Sequence, residues 1–162
     1  MISEKVQYRI LDASEPEETF ETLAVLFRKM YDYMEEKGLK LTLTENGEQE
    51  WIKHARRMPG KMNHLVVAEA GEIIGFAHGN IRLGPEYLGE IKTGFVSHVF
   101  VLPAFRRQKV ASSLAKQLIN ALQASGARQL QLEVLTGNTA ALQFWEALGF
   151  KKELYRMYKT VE

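Results

Sequence analysis

The chain predicts a mixed α/β domain whose sheet is mainly antiparallel with one parallel crossover. Three observations carry that expectation. Two stretches of helical period precede most of the strand-like runs. Two β-rich runs, 64–70 and 72–81, meet at Gly71 and Glu72, the spacing of a tight hairpin. A strand-like run at 95–102 is followed by a helix and another strand, the order that places a crossover between parallel neighbours.

The elements follow in order. Residues 6–11 alternate weakly and read as a first strand, after which Ser14 offers an N-cap and Pro16 stands near a first helical turn. Phe20, Leu23, Ala24, Leu26, Phe27, Met30, Tyr31 and Met34 recur at three and four, so an amphipathic helix runs from Glu15 to about Lys37, with Gly38 as its stop. A shorter helix from about Glu48 to Met58 ends at Pro59 and Gly60. After the hairpin, 82–94 holds three glycines and a proline and reads as a loop, and the strand at 95–102 stops at Pro103. Val110, Leu114, Leu118 and Leu122 form an i+4 row inside a helix expected from Arg107 to Ser125, closed by Gly126. In 129–135, Leu130, Leu132 and Val134 alternate with Gln129, Gln131 and Glu133, the mark of a half-buried strand. A helix from Asn138 to Leu148 is bounded by Asn138 and Gly149, and 151–161 is expected to supply a final strand.

Composition narrows the class of function. At 162 residues and 46% hydrophobic content the chain is expected to form a single domain, 1–162, with a real core. Lys and Arg total 21 against 20 for Asp and Glu, so nothing in the overall balance calls for nucleic acid or a membrane as partner. The absence of cysteine removes disulfide frameworks, thiolate zinc sites and a cysteine nucleophile, and it points to a cytoplasmic protein. Charges near the N-terminus interrupt any signal-like apolar stretch, and no apolar run approaches the roughly 18 to 20 residues of a membrane span. His54, His64 and His78 show no metal-ligand spacing, so no metal is expected.

The chemically suggestive stretch is HVFVLPAFRRQKVASSLAKQL, residues 98–118. A helix N-terminus presents unpaired N–H groups and about half a unit of positive charge, which disfavours cations there unless an anion is bound. Arg106, Arg107 and Lys109 crowd that end, and Ala111, Ser112 and Ser113 keep the first turn short enough for a bulky diphosphate. On composition alone a solvated basic turn is the alternative.

The wider pattern resembles the Gcn5-related N-acetyltransferase family. Its acetyl-CoA motif places Arg or Gln, two residues, Gly, one residue and Gly or Ala on the turn entering a helix; here those positions read Arg106, Arg107, Gln108, Lys109, Val110 and Ala111. The preceding VFVLPAFR resembles the family's cofactor strand, and GNTAALQFWEALGF at 137–150 resembles its later motif. The resemblance implies the acyl-CoA N-acyltransferase fold, with helices on both faces of the sheet, and acetyl-CoA as acetyl donor. It implies that the backbone of Val99, Phe100 and Val101 pairs with the pantetheine amides. The N–H groups from Arg107 to Ser112 would hold the diphosphate, and Asn138, Ala141 and Phe144 would line the rest. A homodimer is a plausible assembly. Two positions depart from the pattern. Lys109 replaces the usual glycine, so its side chain either swings outward toward the phosphates or obstructs them. Trp145 stands where many members carry the tyrosine that protonates the departing thiolate, a role indole cannot take; Tyr155 or Tyr158 is the alternative acid.

Acetyl transfer to an amine needs a neutral nitrogen and a donor for the developing oxyanion, for which backbone N–H groups near Val99 are expected. His98 is the candidate base, since an ordinary imidazole titrates near 6.5. Simple alternation puts it on the face opposite Ser97 and Val99, and a bulge would change that facing. The acceptor, a small-molecule or peptide amine, would meet either Asp32, Glu35 and Glu36 with Tyr31 and Tyr33, or the loop of Glu86, Tyr87 and Glu90. A noncatalytic acyl-CoA-binding or sensor module is the competing reading.

Overall fold

A computed structural model describes residues 5–162. Strands β1 (Gln7–Ile10), β2 (Asn63–Ala70), β3 (Glu72–Leu83), β4 (Lys92–Val101) and β5 (Gln129–Leu132) form one sheet in sequential order. The first three junctions are antiparallel and β4 pairs with β5 in parallel, from Thr93↔Gln129 to Val96↔Leu132. The helices are α1 (Glu17–Glu36), α2 (Gly47–Ala55), α3 (Val110–Ala124) and α4 (Thr139–Ala147). Helix α3 makes the crossover that the element order predicted.

Each face of the sheet has its own core. On one, Phe20, Leu23, Phe27 and Met30 of α1 join Ile52 of α2 over Leu65, Val67, Phe76 and Phe100. On the other, the row Val110, Leu114, Leu118 and Leu122 of α3 lies over Val66, Ala77 and Val96, with Trp145 of α4 sealing the end. This three-layer arrangement follows from the amphipathic patterns, since each apolar helix stripe needs a sheet face. Helix α3 packs close because β3 presents glycine beneath it. A β-carbon at Gly79 would stand 2.9 Å from the Phe95 carbonyl oxygen and 3.2 Å from both Leu118 and Leu122.

The start of α1 differs from expectation. Pro16 is its N-cap, without a side-chain hydrogen bond, while the Ser14 amide and hydroxyl donate to Asp12 Oδ1 at 2.8 and 2.5 Å. Asp12 thus takes Ser14 into a local turn that competes with capping. Helix α3 begins at Val110 rather than Arg107, because the intervening residues form a left-handed turn.

The larger correction is at the C-terminus. Residues 151–162 form no strand, and Leu154, Tyr155, Met157, Tyr158 and Val161 are all exposed. Apolar residues at adjacent positions fall on both sides of an extended chain, the pattern of a strand covered on two faces. Among the described residues nothing covers them, and two ion pairs tie the tail down, Lys152 to Glu146 at 3.7 Å and Arg156 to Glu133.

The tight β3–α3 contact leads to a test. Gly79→Ala is expected to lower unfolding free energy by about 1 to 3 kcal/mol through overpacking, read from the urea midpoint; an unchanged midpoint would mean that α3 can shift without cost.

Candidate active site

The site begins with one extra residue. His78 pairs with His98 while Gly79 pairs with Val96, so Ser97 is unmatched and bulges from β4. The parallel pairing with β5 stops at Val96, immediately before that bulge. Beyond it β4 continues to Val101 while the chain after Leu132 turns away, so the edges of Val99, Phe100 and Val101 toward β5 lack a partner strand. The Val101 carbonyl instead accepts from Arg106 Nε at 3.0 Å. The bulge also resolves the facing. His98 and Phe100 lie on the α1–α2 side, whereas Val96 and Val99 both pack toward α3.

At the end of β4 the chain enters α3 through a turn in which Arg107 has φ 63° and Lys109 has φ 62°. Left-handed backbone costs an L-residue roughly 1 to 2 kcal/mol, the reason glycine is favoured at such positions. Among the described residues, the N–H groups of Arg107, Gln108, Lys109, Val110, Ala111 and Ser112 donate to no protein acceptor; the first to close a helical bond is Ser113, to Lys109 at 3.1 Å. Lys109 is the N-cap of α3 but does not cap it with its side chain. Arg107, Gln108 and Lys109 are exposed. The result is a row of six open donors beside two cations, an arrangement that suits an anion.

Arg106 is set apart from that pair. Its guanidinium lies 4.7 Å from the Tyr33 ring centroid and 5.7 Å from that of Phe100. With its bond to Val101 it ties the end of α1 to the end of β4, a role that motif reading did not reveal.

Asn138 caps α4, its Oδ1 accepting from the Ala141 amide at 3.2 Å. Phe144 is half-buried against Trp145, with ring centroids 4.9 Å apart. Trp145 is buried in the α3-side core and does not occupy the cleft. The loop before α4 is pressed against the end of α1: a β-carbon on Gly137 would collide with the Lys37 carbonyl oxygen. Tyr155 and Tyr158, on the exposed tail, are not brought to the described cleft.

The histidine cluster packs against α1 and α2. The rings of Trp51, His78 and His98 form a near-equilateral triangle, with centroid separations of 5.7, 5.9 and 5.9 Å. Phe27 stacks on Trp51 at 4.0 Å and meets His98 edge-on at 5.0 Å. Burial pushes the pKa of His98 down to about 4, and burial together with neighbouring histidines pushes that of His78 down to about 3. Both rings are therefore neutral at physiological pH. Burial also raises the Tyr31 pKa. Asp32, Glu35 and Glu36 are exposed along the end of α1, and Glu86, Tyr87 and Glu90 are exposed in the β3–β4 connection. The pairing of His78 with His98 was the site feature sequence reading missed. Hairpin register carries the signal, but only once the bulge is placed.

A sequence model of the acetyltransferase (GNAT) family matches residues 23–150. N-alpha-acetyltransferase 30 of Schizosaccharomyces pombe is 32% identical over 72 residues, a match that spans 43% of this chain and about half, 48%, of that protein. The solved aminoglycoside N-acetyltransferase AAC(6')-Iy in complex with CoA superposes with a TM-score of 0.76 at 21% identity, covering 96% of this chain and 95% of that one. Glucosamine-6-phosphate N-acetyltransferase from Arabidopsis thaliana superposes with a TM-score of 0.66 at 18% identity, over 98% of this chain and 100% of that one.

The buried histidines make stability acid-sensitive. Their folded pKa values lie below the ordinary 6.5, so the unfolded chain binds protons first as pH falls. Stability is expected to be complete above 6.5 and to decline as pH drops toward about 4 and then about 3. Urea midpoints at about pH 7.5 and about pH 5 check this, and a His78→Phe variant should show the smaller drop.

Proposed function

Because the chain belongs to the acetyltransferase (GNAT) family, we propose that it moves an acetyl group from acetyl-CoA to a primary amine of a small molecule or a peptide, by direct attack in a ternary complex. The observation that carries this reading is the row of six unpartnered N–H groups from Arg107 to Ser112, presented by a turn that accepts two left-handed residues to form it. Those donors fit a diphosphate, and the open β4 edge at Val99 and Phe100 fits a chain of amides. Acetyl-CoA, when bound, supplies a thioester carbonyl and a thiolate leaving group.

The chain's own groups then divide the work. Arg107 and Lys109 add charge to the anion site, with the exposed Lys109 side chain leaving the amides open. Arg106 holds the cleft's α1 and β4 walls together. Asn138, Ala141 and Phe144 form the α4 wall. A thiol of pKa near 8.5 leaves adequately at neutral pH, so release needs no side-chain acid from Trp145 or from Tyr155. Acidic and aromatic side chains at the end of α1, namely Asp32, Glu35 and Glu36 beside Tyr31 and Tyr33, suit a cationic acceptor. The names of the similar proteins, which include aminoglycoside and N-alpha acetyltransferases, support an amine acceptor.

The second reading is a noncatalytic acyl-CoA-binding module of the same fold, favoured by the indole at position 145 and the lysine at 109. One pair of measurements separates the two. Calorimetric titration with acetyl-CoA is expected to show micromolar binding, kept within about tenfold by Lys109→Gly because the amides do the holding. Release of free CoA with a panel of amines and peptides is expected to exceed background; binding without release would establish the module instead.

A homodimer acting in the cytoplasm is the proposed assembly. It is supported by the unpaired outer edge of β5 and by a tail apolar on both faces. Light scattering is expected to give twice the chain mass, and deletion of residues 151–162 to give a monomer; a monomeric intact chain would end this part of the reading.

A further inference from the structure

Trp51 Nε1, His78 Nδ1 and His98 Nδ1 are the three side-chain polar atoms among the described residues that are sealed from solvent without a hydrogen-bond partner. They belong to the three rings of one triangle. Buried polar groups without partners are costly, so three in one place mark a site that holds something polar.

We propose that a single buried water bridges Trp51, His78 and His98, and that it sets His98 in the tautomer carrying its proton on Nε2. His98 is then a neutral hydrogen-bond donor facing the cleft, suited to an acyl oxygen that gains charge as the amine attacks. This inference deepens the acetyltransferase reading and rests on it for the identity of that oxygen.

Asn63 Nδ2 donates to the Arg57 carbonyl at 2.7 Å, which leaves its Oδ1, an acceptor, 3.0 Å from His78 Nε2. His78 must therefore carry its proton on Nε2 and present a bare lone pair at Nδ1. Trp51 Nε1 is a donor only. One water can accept from Trp51 and give one hydrogen to His78 Nδ1. Its second hydrogen then needs an acceptor, and His98 Nδ1 is the remaining partner. With His98 bare at Nδ1, all three protein atoms and both water hydrogens are satisfied, and one lone pair is left over. With the opposite tautomer a water hydrogen is left buried and unbound. An orphaned donor is the rarer and costlier outcome. Three hydrogen bonds is also the ordinary complement of a buried water.

His98 Nε2, by contrast, is not sealed from the surface. It stands just beyond the bulge, where β5 has left β4. The groups facing the ring are Phe27 and Tyr31 from α1, Trp51 from α2 and His78 from β3, none of them charged. His54 and His64 lie further around His78. Among the described residues no carboxylate hydrogen-bonds to His98 and supports an imidazolium. Neutrality suits a donor. A base would have to take its proton from an ammonium whose ordinary pKa is about 10.4.

Two measurements test the assignment. Long-range proton–nitrogen correlation spectra of the histidine-labelled, ligand-free protein near neutral pH are expected to show both His78 and His98 protonated on Nε2. Trp51→Phe, which removes one support of the water, is expected to bring the second His98 tautomer into view. A His98 proton on Nδ1, or an imidazolium, in the intact protein would overturn the assignment, and so would a His98 tautomer unaffected by Trp51→Phe. These spectra need no acceptor, so they read the tautomer even if amine acetylation is never found. Activity then tests the role. His98→Ala is expected to lose about 10² to 10³ in kcat, and His98→Gln, whose amide still offers an N–H, to recover at least about tenfold of that. Equal loss in both variants would reject the donor role, and so would a break in kcat/KM near pH 6.5.

Discussion

The unmatched residue at Ser97 decides where the molecule opens. Had β4 kept its register, its far edge would have gone on pairing with β5 and no backbone would remain to receive a ligand. One inserted residue ends the parallel ladder at Val96 and Leu132, and it turns Val96 and Val99 to the same face. Backbone amides and carbonyls left on an edge need partners. Val101 finds one in Arg106, while the edge between Ser97 and Val101 has no partner strand on the β5 side. The same insertion points His98 toward α1. The open strand edge and the histidine cluster therefore derive from a single irregularity.

The two cores hold that irregularity in place from opposite sides. Leu114, Leu118 and Leu122 press α3 against the glycine-containing face of β3, so the amides at the start of α3 are delivered by a rigid rod rather than by a loop. On the other face, Phe27 and Met30 anchor α1, whose end reaches Arg106 through Tyr33 and the loop before α4 through Lys37. Three segments distant in sequence meet at the cleft because each is the terminus of an element fixed by its own apolar stripe.

What could be read in the chain beforehand was local. The i+4 row of α3, the hairpin at Gly71 and the cation-rich turn with its small first-turn residues are all patterns within one stretch, and each appears where expected. The features that escaped are long-range. Arg106 looked like one more phosphate ligand because its partner Tyr33 lies on another helix. The facing of His98 depended on a bulge that no alternation pattern contains, and the triangle with Trp51 and His78 depends on that facing. The final strand failed for a related reason. Residues 151–162 have strand-like composition, but a strand also needs a neighbour, and β5 is short and paired on one edge. Ser14 was taken from α1 by Asp12, two residues away, a competition that capping preference alone does not weigh.

Arg107 and Lys109 have one further consequence. Residues with β-carbons that are nonetheless held left-handed have fewer alternative shapes than glycines would have in the same turn. A glycine-rich anion loop must surrender backbone freedom when its ligand arrives. Here most of that freedom is already lost in the ligand-free protein, during folding rather than binding. Capture of a diphosphate should accordingly carry little ordering entropy, and its temperature dependence should reflect the ligand and its water more than the loop.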